Sequence, residues 1–65
     1  MNGNLVIKAI KLIYPAIQGG YSYWETRYDG TPWTSPSEGL VWENKEYGKP
    51  DWNTIMEKLN EAGEI

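Results

Sequence analysis

The sequence predicts a small α+β protein, one domain over residues 1–65, in the order helix, strand, long loop, strand, helix. Two helices are expected to cover an antiparallel sheet. Three observations carry this. Residues 5–14 and 52–59 repeat apolar side chains at helical spacing. Residues 21–28 and 39–43 alternate, and they are rich in aromatic and branched side chains. Around them Gly20, Gly30, Gly39, Gly48, Pro32, Pro36 and Pro50 supply turn chemistry.

In the first segment Val6, Ala9, Ile10 and Ile13 share one helical face, and Lys8 and Lys11 fall on the other. A strand would put the two lysines on opposite faces among apolar neighbours, so helix is the better fit. Asn2 or Asn4 can cap it, and Pro15 ends it at Tyr14. Residues 16–19 read as a connector. The strand at 21–28 has one face of Tyr21, Tyr23, Glu25 and Arg27 and another of Ser22, Trp24, Thr26 and Tyr28. The charges favour the second face, Trp24 and Tyr28, as the buried one. Asp29-Gly30 breaks the strand, and residues 31–39 are too punctuated for regular structure. The second strand sets Leu40 and Trp42 on one side and Val41 and Glu43 on the other. Residues 44–50 form a second loop. Asp51 caps the last helix, Trp52, Ile55, Met56 and Leu59 form its stripe, and Gly63 stops it.

Sixty-five residues bury only about 60% of their unfolded surface, which leaves roughly 3–5 kcal/mol of net stability. With no cysteine and no histidine, disulfides and the usual metal ligands are closed off. The expected core is aromatic: Trp24, Trp42 and Trp52 with Ile10, Ile13, Ile55 and Leu59, since each large ring buries about 150–250 Å².

Charge and hydropathy narrow the function. Residues 1–28 carry Lys8, Lys11 and Arg27 against Glu25, a net of +2. Residues 29–65 carry Lys45, Lys49 and Lys58 against eight carboxylates, a net of −5. Such a surface disfavours nucleic acid as a partner. No apolar run approaches the roughly 18 residues that span a membrane, and residues 5–13 lack the basic leader of a signal peptide. A soluble, non-exported protein is expected.

Catalytic chemistry finds little support. Ser22, Ser35 and Ser37 have no histidine base, Glu43 and Glu46 read as a solvated acidic loop, and no phosphate-cradling motif occurs. The expectation is a non-enzyme with no cofactor and no metal. Trp33 stands in a loop between prolines. It is either an exposed anchor for a partner or a cover folded back on the sheet.

The segment Ala9-Ile10-Lys11-Leu12-Ile13-Tyr14-Pro15, followed by Ile17-Gln18-Gly19, resembles the opening of small XkdW-like proteins of bacteriophage tail gene clusters. Val41-Trp42-Glu43-Asn44 and the later Lys49-Pro50 with an acidic helix resemble their closing segment. The threonine usual after Lys-Pro is Asp51 here, in the same capping role. The resemblance implies an α+β fold, no catalytic residues, and a place in tail or tail-fibre assembly, in the bacterial cytoplasm or in the virion. The partner expected is a phage tail or fibre protein. A bacterial host enzyme inhibited by the chain, or a sugar bound on the virion, is the alternative.

The candidate contact surface follows from the face assignment. With Trp24 inward, the outer face carries Tyr21, Tyr23 and Arg27 with Val41 from the second strand. The loop 29–39 belongs to the same surface and presents Trp33 beside them. A homodimer through the same face is equally consistent.

Overall fold

A computed structural model describes residues 2–65. Helix α1 spans Gly3–Ile13, with the Asn2 side chain accepting the Asn4 N–H at 2.8 Å. Its buried stripe is Val6, Ala9 and Ile10, with Ile13 half-buried beside it. Pro15 forbids a further turn, so the last helical bond runs from the Tyr14 N–H to the Ile10 carbonyl. The sequence marks residues 16–19 as a connector, yet Ile17 turns back into the core at 8% exposure.

Strands β1, Tyr21–Tyr23, and β2, Leu40–Trp42, pair antiparallel with Tyr21 opposite Trp42, Ser22 opposite Val41 and Tyr23 opposite Leu40. Bonds from Trp24 N–H to Gly39 O and from Glu43 N–H to Gly20 O carry the ladder one step further at each end. The second strand matches its expected range to within a residue. The first is three residues rather than eight. Past Trp24 the chain closes a turn of its own: the Gly30 N–H donates to Arg27 O and the Arg27 N–H to Thr31 O, both at 2.9 Å. Gly30 makes the turn at φ 87°, a left-handed conformation that other residues avoid.

The expected face assignment is reversed. Residues directly opposite in an antiparallel pair share a face. Leu40 is buried and Trp42 half-buried, so their partners Tyr23 and Tyr21 also face the helices. Tyr23 stacks on Trp52 of the second helix at 6.0 Å. Its burial first, and the Glu25 carboxylate second, push its hydroxyl above the usual phenol pKa. Trp24 and Tyr28, expected inside, are 61% and 102% exposed.

Part of the segment 31–39 is regular after all. Pro36–Gly39 forms a 3-10 turn, begun by Pro36 and closed by the Leu40 N–H on Ser37 O. It delivers the chain straight into β2.

Helix α2, Trp52–Glu61, starts at Asp51, whose carboxylate accepts the Asn53 N–H at 3.2 Å. Ile55 and Leu59 are fully buried, with Trp52 and Met56 half-buried at the edges of the stripe. Gly63 stops it at φ 74°, with Glu64 N–H on Leu59 O and Gly63 N–H on Asn60 O, the paired bonds of a glycine-terminated helix. Lys8 of α1 pairs with Glu64 just past this stop.

The two helices pack on each other, and α1 also packs on β1. The buried cluster is aliphatic: Val6, Ala9, Ile10, Ile17, Leu40, Ile55 and Leu59. This corrects the expected aromatic core. Trp42 and Trp52 sit half-buried at the margin of this cluster, as rings that carry a polar N–H commonly do. Trp42 donates to Tyr47 O at 2.8 Å, and its ring belongs to a run of aromatics. Tyr47 stacks on Tyr14 at 4.6 Å, Tyr14 meets Trp42 at 6.3 Å, and Trp42 stacks on Tyr21 at 5.7 Å. Asn44 organises the loop behind this run. Its amide donates to Gly19 O, and its carbonyl accepts the N–H groups of Glu46 and Tyr47, all at 2.8 Å.

Candidate functional site

With both helices on one side, no helix of the described residues covers the other side of the sheet. Val41 projects from it at 42% exposure, and Trp24 follows on the same face one step past β1. The returning loop builds a wall along this face. Trp24, Thr26, Tyr28, Trp33, Glu38 and Val41 together line a groove of about 250 Å³. Five of these six side chains are uncharged, and three are aromatic.

Trp33 holds the wall in place. Its indole N–H donates to the Trp24 carbonyl at 2.7 Å. The Arg27 guanidinium lies 5.5 Å from the ring centre and donates to Pro32 O at 3.0 Å and to the Thr34 hydroxyl at 3.4 Å. It reaches Glu38 at 3.8 Å. Gly39 permits the arrangement, because a Cβ there would lie 2.2 Å from Trp24 O and 2.6 Å from Trp33 Nε1. The turn tip is fixed by Asp29, whose carboxylate accepts the Thr31 hydroxyl at 2.7 Å and the Thr31 N–H at 3.0 Å. Those two bonds hold the Asp29 pKa below the ordinary carboxylate value.

Of the residues expected on the contact surface, Val41 and Trp33 line the groove, and Arg27 braces its wall from behind Trp33. Tyr21 and Tyr23 do not belong to it; both face the helices. Trp33 folds back as a cover and still borders the groove. Trp24, Tyr28 and Thr26 were not expected there, whereas Glu38 belongs to the loop 29–39 that was. The register could have found the first, since pairing Tyr21 with Trp42 turns Ser22 outward and, one step past β1, Trp24 with it.

Among the described residues, no three carboxylates converge as a metal site would require, and no buried side-chain nitrogen or oxygen lacks a partner. No helix of the described residues is long and apolar enough to cross a membrane. Compared with protein-family models, curated proteins and solved structures, the chain matches none.

Proposed function

We propose that this chain is a non-enzymatic binding module of a bacteriophage or prophage, which docks a tail or tail-fibre component through the outer face of its sheet. The observation that carries the reading is the exposure of Trp24, Tyr28 and Val41 side by side on a braced scaffold. Large aromatics left in water next to one another mark contact surfaces, and Trp and Tyr are enriched at binding hot spots. The tail assignment rests on the XkdW-like segments 9–19 and 41–50, whose Tyr14, Trp42 and Asn44 form the loop scaffold behind β2. The chain works in the bacterial cytoplasm during assembly or as part of the virion.

Affinity capture from phage-infected cells tests this, with the parent chain beside a Trp24→Ala/Val41→Asp variant. A tail or fibre protein retained by the parent and lost by the variant is the expected result. Retention unchanged by the variant removes the outer face from the interface. A groove-dependent catch of a bacterial enzyme instead replaces the tail assignment with host inhibition.

A further inference from the structure

The groove has a chemical preference, and it rests on the reading of this face as a protein contact. We infer that it receives a cationic side chain, a lysine or arginine set among apolar residues, from the partner. Aromatic faces carry negative electrostatic potential, and cations bind over them. Here Trp24, Tyr28 and Trp33 border one hollow, with Glu38 as its one charged lining residue. Arg27 shows that indole and carboxylate together hold a cation, because its guanidinium lies over Trp33 and beside Glu38. That guanidinium does not saturate Glu38. Its short bond goes to Pro32 O, and it stands off the carboxylate at 3.8 Å with both side chains 41% exposed. The surroundings also call for positive charge. Glu43, which lines a neighbouring hollow together with Val41, adds a second carboxylate to this face. A partner segment with a lysine or arginine complements this charge, whereas an acidic segment is repelled by it.

The test titrates the isotope-labelled chain with three acetylated, amidated peptides: Ala-Lys-Ala, Ala-Arg-Ala and Ala-norleucine-Ala. NMR follows the Trp24 indole N–H and the Tyr28 and Val41 amides. The expected result is saturable shifts with lysine and arginine, weak or absent with norleucine. Glu38→Gln and Trp24→Ala should each weaken the lysine peptide roughly two- to fivefold, the range of one exposed cation–aromatic or ion contact. Equal shifts with norleucine overturn the cationic preference and leave the protein-contact reading intact. No shift with any peptide overturns the preference, while capture through Trp24 and Val41 judges the contact independently. The same resonances moving with protein concentration alone would assign the groove to a second copy and overturn it too.

Discussion

The indole N–H of Trp33 reaches the main-chain carbonyl of Trp24 at 2.7 Å, across the spot where a side chain on Gly39 would stand. This contact joins the long loop to the sheet and sets the wall of the groove. It also ends β1, because the carbonyl of Trp24 is given to a side chain.

Gly39→Ala cannot be accommodated without moving either Trp24 or Trp33, since the new Cβ would meet backbone at 2.2 Å. Overpacking of this kind costs about 1–3 kcal/mol, and a lost hydrogen bond adds about 1. A melting temperature lower by on the order of 10–20 °C is expected. Gly48→Ala, with open space around it, is the control and should melt near the parent. Equal melts for the two variants would remove Trp33 from its dock.

Stability should follow burial rather than side-chain size. Ile55→Ala and Leu59→Ala remove fully buried side chains, at about 2–5 kcal/mol each, comparable to the whole stability of so small a domain. Circular dichroism at 25 °C should show both largely unfolded. Trp24→Ala should stay within roughly 0.5 kcal/mol of the parent, as a surface change does. Trp42→Ala lies between: it loses the stack on Tyr21 and the bond to Tyr47 from a half-buried ring. A cooperative melt for Leu59→Ala close to the parent's would contradict the packing described.

Asn44→Ala deletes three hydrogen bonds at once, and at about 0.5–1.5 kcal/mol each a loss near 2 kcal/mol is expected in urea unfolding. Asn44→Asp keeps the acceptor for Glu46 and Tyr47 but loses the donor to Gly19. It should recover part of the loss. If alanine and aspartate are equally harmful, the bond to Gly19 carries the effect.

Acid should loosen the turn tip. The carboxyl of Asp29 titrates below its ordinary value because the Thr31 hydroxyl and N–H donate to the charged form. A depressed folded pKa stabilises above the unfolded value, and the contribution is lost as pH falls through the folded one. A carbon-13 titration of the Asp29 carboxyl should show the depression in the parent. Thr31→Val, which keeps only the backbone donor, should move it part of the way back. An unchanged titration in that variant would mean that the hydroxyl bond is absent in solution.

Much of this protein is written locally. Asn2, Pro15, Asp51 and Gly63 set the helix ends through caps and breakers that act within a few residues, and the 3.6-residue spacing of Val6, Ala9 and Ile10, and of Ile55 and Leu59, fixes which helical face is buried. The split of β2 into Leu40 and Trp42 against Val41 was equally legible. The face of β1 was not. Side chains alternate with a period of two, so the burial of Tyr21 and Tyr23, rather than Trp24, depends on whether the register across the loop 24–39 is odd or even. That parity is set by Trp33 docking on Trp24, by the room at Gly39 and by the 3-10 turn at Pro36–Gly39, contacts between residues far apart in the chain. The sequence alone therefore determined two helices, two strands and a strongly aromatic middle. Only the tertiary structure decided which aromatics cover the core and which stand in water, because a one-residue change of register exchanges the two sets.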